Sequence, residues 1–391
     1  METLSQSPTD PAFVQNPYPF YDRARALGPV FHWSDYDLTC TASAAAVTAI
    51  FRDRRFGREP VDPPPVPPHL APFYAVEAHS MLELEPPRHT RLRSLVLRAF
   101  TSRRIAALGP EIAALAEDLV AAFPDGPFDL LTQFAQPLPV RIIARLLGVP
   151  EAMAPDLLRW SNAMVGMYMA GRTRATEDRA VAATGEFVAF LRGYVEERRA
   201  RPADDLITQL IAAEMEGERL TTDELISTCI LLLNAGHEAT VHTIGNGVKT
   251  LLETGTPPAA LAPEGIDGTV EEILRFDPAL HMFTRNAYDD IEVMGHRFRR
   301  GDRVGLLLAA ANRDPAVWDH PDRFDVTRPV KPHASFGAGL HFCVGAPLAR
   351  LELQIALPIL FARHPGLRLV GTPAYADVYH FHGLAALHVT R

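Results

Sequence analysis

Apolar positions along the chain recur mostly at intervals of three and four residues, the spacing of one face of a helix. Such runs predict helices over residues 105–123, 140–147, 180–199 and 222–253, with Gly, Pro and Asp between them. Two short runs, 293–298 and 303–308, predict strands instead. The pattern is therefore that of a mainly α protein with a minor β region.

The longest helical run, residues 222–253, begins at a Thr-Thr-Asp-Glu sequence that is typical of a helix N-terminus. At 1.5 Å per residue it would span roughly 45 Å, enough to cross the molecule. Its centre, residues 235–240, reads AGHEAT, so small residues and an acidic residue lie in an otherwise apolar helix.

The chain has 391 residues, of which 47% are hydrophobic, ample for an extensive core. Such a length would normally suggest two or three domains. The recognisable motifs, however, run from about residue 85 to 350 with no linker between them. We therefore expect a single domain over residues 1–391.

The charge balance and the cysteines exclude several classes of protein. A formal net charge of −9 argues against general affinity for nucleic acid or for anionic membranes. The N-terminus lacks the basic start and apolar core of a secretion signal, and no run of about 18 apolar residues predicts a membrane span. Three cysteines far apart in sequence are typical of a reducing compartment, so we expect a soluble, cytoplasmic protein.

The most specific chemical signal is the decapeptide FGAGLHFCVG, residues 336–345, which sets Cys343 among glycines just before an apolar helical run. Amides and the dipole at a helix N-terminus stabilise an anion, so we expect a lowered thiol pKa and a thiolate. Cys40 and Cys229 are isolated, which excludes a four-cysteine zinc or iron–sulfur site. Haem iron needs only one axial thiolate. For so short a segment alone, a packed cysteine in a glycine-rich turn would be the commoner meaning.

The decapeptide matches the haem-binding signature of the cytochrome P450 family, F-x-x-G-x-x-x-C-x-G, at every fixed position. The chain thus resembles that family, whose fold is a helix-rich triangular prism enclosing haem b. The resemblance implies that Cys343 is the axial ligand of the haem iron. It also implies cofactor contacts from the rest of the loop, at Phe336, Gly337, Gly339, His341 and Gly345.

A second motif, VEEILRF, carries Glu272 and Arg275 three residues apart, on one face of a predicted helix. In the family this pair docks on an arginine ahead of the haem loop, and the segment PDRFDVTRP supplies Arg328. We expect a buried structural brace rather than catalytic machinery. An isolated ExxR is more often a solvated ion pair, but order and spacing relative to Cys343 favour the brace.

The resemblance gives the AGHEAT segment a role in oxygen activation. Ala235 and Gly236 are small enough for the helix to approach the porphyrin and to leave space for oxygen and water. Glu238 corresponds to the acidic residue of the family's proton route. The next position is usually a threonine that helps to deliver protons, and here it is Ala239. Thr240 is rotated by about 100 degrees from that stripe, so it does not simply replace the hydroxyl.

We therefore take Glu238, Ala239 and Thr240 as the catalytic positions and leave three proton routes open. Protons would come through a water held by Glu238, through a hydroxyl on the substrate, or in peroxide-dependent chemistry. The first two rank above the third because the other family features are intact.

A third motif, LELEPPRHTRLR, predicts a helix with His89 and Arg93 one turn apart on one face. Both side chains suit a haem propionate, Arg93 through its planar fork of donors. By position in the family pattern, Arg285 and His341 join them as propionate partners. His89 taken alone would more often be a surface histidine.

Residues 88–104 contain six arginines and no carboxylate. One of them, Arg93, is assigned above to a haem propionate and so points into the protein. Four others would form a basic patch on the thiolate side of the haem that attracts an acidic ferredoxin, namely Arg91, Arg98, Arg103 and Arg104. The alternative is a solvated helix face whose arginines pair with acids elsewhere.

The resemblance implies a haem-thiolate monooxygenase that inserts one atom of O2 into a small hydrophobic organic substrate, with electrons from a ferredoxin and an NAD(P)H-dependent ferredoxin reductase. The residue at Ala239 leaves two alternatives, a haem-thiolate binding or sensing protein with little turnover and a peroxide-dependent oxygenase. The proline-rich segment 58–73 either covers the substrate pocket or is a surface connector. By resemblance, the pocket comprises residues 164–169, Leu232, Leu233, 279–283 and 379–381.

Overall fold

Helices make up most of the residues that the computed structural model describes, which are 1–169, 171–215 and 217–391. The first helices along the chain are α1 (Pro11–Gln15), α2 (Tyr18–Ala26), α3 (Ala44–Arg52), α4 (Ala71–Glu77), α5 (Arg88–Ala99), α6 (Ser102–Ala107), α7 (Gly109–Ala121) and α8 (Pro137–Leu147). They are followed by α9 (Ala154–Val165), α10 (Arg174–Ala200), α11 (Leu206–Ala212), α12 (Thr222–Glu253), α13 (Ile266–Phe276), α14 (Leu308–Asn312) and α15 (Ala346–Arg363).

The strands are short and lie in small sheets, so the predicted mainly α architecture with a minor β region is confirmed. In chain order they are β1 (Thr3–Leu4), β2 (Phe31–Trp33), β3 (Leu38–Thr41), β4 (Phe56–Gly57), β5 (Phe128–Asp129), β6 (Glu214–Met215), β7 (Glu218–Arg219), β8 (Met282–Ala287), β9 (Ile291–Val293), β10 (His296–Phe298), β11 (Arg303–Leu307), β12 (Arg368–Leu369) and β13 (His388–Thr390). Among the described residues, no helix combines the length and the apolar character that a membrane span needs.

Helix α12 is the longest described helix, and its bounds are those predicted from the apolar pattern. A capping box sets its start. Thr221 Oγ1 accepts from the Glu224 N–H at 3.2 Å, and Glu224 Oε2 accepts from the Thr221 N–H at 2.9 Å. Helices α8, α9 and α10 pack along α12, so most of its side chains are buried.

The largest sheet has the strand order β1-β2-β3-β11-β8-β4. Strand β11 runs parallel to β3, with Gly305 opposite Cys40, and antiparallel to β8, with Val304 opposite Arg285. Glycine is needed at position 305 because a Cβ there would lie 2.7 Å from the Cys40 sulfur. An interior strand of this sheet therefore carries Arg285, one of the predicted site residues.

Two predicted elements are interrupted in the structure. The run 105–123 breaks at Leu108 into α6 and α7, because Pro110 cannot continue a helix but suits the first turn of a new one. The run 293–298 is a hairpin of β9 and β10 that turns at Gly295, where φ is +79°.

The proline-rich segment 58–73 is irregular only up to Pro67. A 3₁₀ turn over Pro68–Leu70 follows and leads into α4, with Pro72 in its first turn. Regular helical structure is therefore confined to the last part of the segment.

The predicted brace is confirmed. Arg275 donates through Nε and Nη2 to the two Glu272 carboxylate oxygens at 2.7 and 2.8 Å, and Arg328 Nε lies 3.4 Å from Glu272 Oε2. Arg275 Nη1 also donates to the Asn312 carbonyl at 3.0 Å. Both members of the pair are buried, and a buried charge is tolerated only with such a full set of partners. The brace therefore fixes α13 against the chain that leads to the glycine-rich decapeptide.

Candidate active site

The cysteine loop, residues 336–345, joins a 3₁₀ turn to α15 and holds Cys343 three residues before that helix begins. The φ angles of Gly337 and Gly339 are +66° and +70°, conformations that residues with a Cβ rarely adopt. The Cys343 N–H donates to the Phe336 carbonyl at 3.0 Å, which closes the loop on itself. The two glycines therefore make possible the reversal that presents the cysteine.

Gly339 also meets a steric limit. A Cβ at this position would lie 2.1 Å from the Phe51 carbonyl oxygen at the end of α3, whereas a Cβ at Gly337 would come no nearer than 3.9 Å to any atom of the protein. Only the residue without a side chain fits against Phe51. This close approach sets the distance between the cysteine loop and α3.

Cys343 lies deep among protein atoms, yet part of its surface is accessible, so the residue faces an internal space. The Gly345 and Ala346 N–H groups donate to its sulfur, as expected at a helix N-terminus. Burial nevertheless raises the pKa of the thiol above its usual value, and the charges of Arg93 and Arg350 offset only part of that effect. The predicted lowering of the thiol pKa is therefore wrong, because desolvation outweighs the helix N-terminus.

The other two cysteines are core residues. Cys40 lies in β3 and Cys229 in α12, and both are fully buried. Burial raises the pKa of each thiol to about 12. Neither thiol is open to a ligand, so Cys343 is the only accessible cysteine sulfur of the chain.

A group of cationic and imidazole side chains lies beside the cysteine loop. The His89 and His341 ring centres are 4.3 Å apart, and His341 Nε2 is 2.9 Å from Glu85 Oε1. Arg93 Nη2 donates to the Phe342 carbonyl at 2.6 Å, which links α5 to the loop. These contacts bring three of the four predicted propionate partners to one place.

The His89 imidazole is buried, and neither of its nitrogens has a hydrogen-bond partner among the described residues. Burial, followed by the charges of His341 and Arg93, lowers the pKa of His89 to about 4. A buried polar atom without a partner costs free energy, so this ring is suited to a polar group brought by a ligand.

Arg285, on β8, is the fourth predicted propionate partner. Its guanidinium lies 4.8 Å from the centre of the Phe51 ring, and Nη1 donates to the Thr284 carbonyl at 2.8 Å. Burial and the neighbouring charge of Arg58 lower the pKa of Arg285 to about 10, and Glu85 offsets little of that. A carboxylate from a ligand would supply the missing counter-charge.

Two acidic residues of the site were missed by the sequence analysis. Glu85 accepts from His341 and, at 2.6 Å, from the Arg58 N–H. Glu271 accepts from Arg350 Nη2 at 3.0 Å, and the Arg350 guanidinium lies 4.6 Å from the centre of the Phe336 ring. Glu271 adjoins the brace residue Glu272 in the sequence, but nothing in the motif reveals that its side chain points to the cysteine loop.

The centre of α12 carries one accessible stripe in an otherwise buried helix. Its members recur at helical spacing, as expected for a face that borders an internal space, and are Leu231, Asn234, Ala235, Glu238, Ala239 and His242. Gly236 is also partly accessible, and a Cβ there would lie 3.4 Å from the Ile143 side chain of α8, an ordinary contact distance. The close approach of α12 to the porphyrin at Ala235 and Gly236 therefore stays a prediction.

Glu238 and Thr240 differ sharply in their surroundings. Burial raises the pKa of the Glu238 carboxyl to about 7, and Glu238 Oε2 is 3.5 Å from His237 Nε2. The Thr240 side chain is buried, and its hydroxyl donates to the Gly236 carbonyl at 2.9 Å. The Thr240 hydroxyl is thus already bonded within the helix, away from the accessible stripe that contains Ala239.

Several residues assigned to the substrate pocket are core residues instead. Leu233, Met164 and Tyr379 are buried, the first two in the main core and the third in an aromatic cluster with Phe13 and Trp33. Helix rotation and sheet packing decide this, and neither is visible in the sequence. Other members of the predicted set stay partly accessible, namely Leu280, Phe283, His380 and Phe381.

These features fit haem b. The fit rests on one accessible thiol with amide donors, one unpartnered buried imidazole and one buried guanidinium without a bonded carboxylate. A flat cofactor with two carboxylates and a thiolate-seeking metal satisfies all three requirements.

Comparison with known proteins points the same way. A family model described as Cytochrome P450 matches residues 266–364. The Vitamin D(3) 25-hydroxylase of Pseudonocardia autotrophica is 39% identical over 393 residues, which cover 97% of this chain and 94% of that protein. The Biotin biosynthesis cytochrome P450 of Bacillus subtilis is 36% identical over 99% of each chain. The crystal structure of P450BioI with an acyl carrier protein ligated to hexadec-9Z-enoic acid matches with a TM-score of 0.92 and 35% identity, over 97% of this chain and 99% of that one.

The close approach of Gly339 to Phe51 predicts that a substitution of Gly339 is more damaging than one of Gly337. Gly339→Ala should lower both the haem content and the urea midpoint of unfolding, because the new Cβ meets the Phe51 carbonyl. Gly337→Ala is the matched control, since it has the same sign of φ but an open Cβ position, and the strained φ alone costs about 1–3 kcal/mol. Equal effects of the two substitutions would show that the contact with Phe51 does not hold the loop.

Proposed function

The chain belongs to the cytochrome P450 family, and from that premise we propose how its own residues hold the haem, supply protons and receive electrons. It is a haem b monooxygenase of the bacterial type that uses O2 and electrons from redox partners and acts on an organic substrate. The observation that carries the proposal is the accessible Cys343 sulfur at the start of α15. When bound, the haem supplies the redox chemistry that activates O2 for insertion into the substrate.

Cys343 is the proposed axial ligand. The amides of Gly345 and Ala346 stabilise negative charge on its sulfur, and the positive charge of Arg93 adds to that effect. Metal coordination deprotonates a thiol outright, so the raised pKa of the free thiol does not prevent a thiolate in the complex. Phe336 shields one side of the loop, under the Arg350 guanidinium.

The haem carboxylates would be held by His89, Arg93, Arg285 and His341. His89 offers both ring nitrogens, and Arg285 offers a buried guanidinium. A carboxylate near them pairs with their donors and relieves the cost of burial. Glu85 orients His341 through the 2.9 Å contact with its Nε2.

Glu238 is the proposed proton source. With a pKa of about 7, its carboxyl is about half protonated at neutral pH, so it both donates and regains a proton. Burial lowers the pKa of the neighbouring His237 to about 3, so that ring is neutral and does not hold Glu238 as a carboxylate. A water between the Glu238 carboxyl and the open space beside Ala239 takes the place of the missing threonine hydroxyl.

The substrate is a small hydrophobic organic compound. The accessible side chains near the stripe on α12 are largely apolar, and they include Leu231, Leu280, Phe283 and Phe381. The relatives compared above include a hydroxylase named for vitamin D3 and a structure solved with a fatty acyl chain, whose ligands are largely apolar. Apolar walls with few polar groups are typical of such pockets.

A ferredoxin is the proposed electron donor, and it docks on the outer side of the cysteine loop. Arg98 and Arg103 are exposed, and among the described residues no carboxylate lies within ion-pair distance of either. Arg91 is instead paired with Glu224, and Arg104 lies 3.5 Å from Asp204. These two arginines therefore form ion pairs within the protein and are not assigned to the docking surface.

The cysteine loop and α5 also carry exposed apolar side chains. The exposed Phe342 side chain lies on the loop, and the exposed Leu97 lies one turn beyond Arg93 on α5. A groove of 860 Å³ runs along the loop and α3, with Arg52 and Arg350 in its lining. Positive charge beside exposed apolar groups suits an acidic partner protein.

The role of Glu238 predicts a specific loss of coupling. Glu238→Gln should raise the fraction of electrons lost as hydrogen peroxide several-fold, because the amide has no proton to deliver. In the wild type, coupling should fall as pH rises through about 7, since the carboxyl then loses its proton, and the variant should lack this dependence. The measurement is product and peroxide formed per NAD(P)H consumed, across pH 6 to 8.

Glu253→Gln, at the exposed end of the same helix, is the matched control and should couple like the wild type. Ala239→Thr should lower the peroxide fraction by restoring a hydroxyl to the accessible stripe. Wild-type coupling and pH dependence in Glu238→Gln would remove this carboxyl from the proton route. Unchanged coupling in Ala239→Thr would show that position 239 takes no part in the proton route.

The docking surface predicts a defect confined to electron transfer. The double substitution of Arg98 and Arg103 by Ala should slow reduction by an acidic ferredoxin, most strongly at low ionic strength, and leave substrate binding intact. Substituting the exposed Arg299 and Arg300 by Ala, in the turn between β10 and β11, makes the same change in net charge elsewhere. Similar reduction rates and salt dependence in both double variants would argue against this docking face.

A further inference from the structure

A second cluster of potential metal ligands lies outside the haem site. Asp277 follows α13, His281 precedes β8, and His382 lies in the loop ahead of β13. One ligand atom from each lies within 4.8 Å of the others, and the three side chains are 4%, 0% and 1% exposed. The cluster is therefore fully enclosed by protein.

The chain brings these residues together through the backbone. The His382 N–H donates to the Ala279 carbonyl at 2.8 Å, and the His281 N–H donates to the His380 carbonyl at 3.4 Å. The two segments are thus paired whether or not their side chains bind anything. The cluster does not depend on the conformation of a mobile surface side chain.

Two of the imidazole nitrogens lack partners. His281 Nε2 and His382 Nδ1 are buried, and neither has a hydrogen bond among the described residues. A buried ring nitrogen without a partner is unfavourable, and such atoms are rare in native proteins. They are the observation that points to a ligand in the cluster.

The separation of His382 and Asp277 favours a metal over a direct hydrogen bond. His382 Nε2 is 3.5 Å from Asp277 Oδ1, long for a hydrogen bond of a charged pair. Two ligands of a tetrahedral zinc ion, each about 2.0–2.1 Å from the metal, lie about 3.3–3.4 Å apart. That spacing is close to the observed one, and the His281 ligand atom lies within 4.8 Å of the other two.

The groups around the cluster orient each ligand. The Tyr21 hydroxyl is 2.8 Å from His281 Nδ1, which leaves Nε2 of that ring as the free ligand atom. The Tyr18 hydroxyl donates to Asp277 Oδ1 at 3.0 Å, and the Tyr375 hydroxyl donates to Oδ2. Metal-binding imidazoles and carboxylates are usually held by hydrogen bonds of this kind.

We propose that Asp277, His281 and His382 bind a divalent first-row metal ion, with zinc as the best match. Two imidazoles and one carboxylate suit zinc, whereas calcium and magnesium prefer all-oxygen sites. The ion ties the segment that leads into β8 to the loop that carries His380 and Phe381. Both segments contribute accessible side chains beside the haem, so the ion stabilises that wall and does not take part in the reaction.

The competing explanation is a metal-free polar cluster in which His382 is protonated and paired with Asp277. A bound zinc ion adds more positive charge than one proton does, but it also bonds to the unpartnered His281 Nε2. The two explanations differ in metal content.

The test is metal analysis of the haem-loaded protein. Because the site is enclosed, zinc must enter during folding, so the protein is expressed with added zinc and then treated with a chelator to strip surface ions. Zinc and iron per chain are measured by mass spectrometry. We expect about one zinc ion per chain beside the haem iron, as for a structural site, and a large loss of zinc in Asp277→Asn and in His382→Phe.

His242→Gln is the matched control, because His242 also has a buried unpartnered nitrogen but lies outside the cluster, and it should keep its zinc. Haem-loaded wild type without zinc, or zinc retained in both cluster variants, overturns the proposal. If the variants do not fold, anomalous diffraction from wild-type crystals at the zinc edge decides. A peak between Asp277, His281 and His382 supports the site, and its absence there overturns it. The haem content is measured separately in both cases, so a failure of the zinc proposal can be told from a failure of the proposed function.

Discussion

The close approach of Gly339 to the Phe51 carbonyl fixes the cysteine loop, and the rest of the site is arranged around that loop. With the loop held against α3, Cys343 lies at the start of α15 and receives the amides of Gly345 and Ala346. The Glu272–Arg275 brace holds the chain that precedes the loop. A side chain at position 339 would push the loop away from α3 and shift the sulfur with it.

Burial is the second constraint, and it governs the charges of the site. It raises the pKa of Cys343 and Glu238 and lowers the pKa of His89 and Arg285. For three of these groups, a haem held as proposed would supply what burial removed, a metal for the thiol and carboxylates for the imidazole and the guanidinium. For Glu238, the raised pKa suits the proposed proton route, because about half of the carboxyls keep a proton at neutral pH.

Features set by local spacing could be predicted from the sequence. The bounds of α12, the Glu272–Arg275 pair and the glycines around Cys343 follow from periodicity and from a motif of fixed length. Features set by contacts between distant segments could not. The burial of Leu233 in the core depends on the rotation of α12 about its axis, and the sign of the Cys343 pKa shift depends on total burial. Neither quantity is encoded in a short stretch of residues.

The central claim is that Cys343 ligates the haem iron as a thiolate, and the absorption spectrum of the reduced carbon monoxide adduct tests it most directly. The wild type and a Cys40→Ser control should both show the red-shifted band of thiolate ligation, and Cys343→Ser should lose it while the protein stays folded. A band of the thiolate type that persists in Cys343→Ser, or a wild-type band typical of a neutral axial ligand, would contradict the account.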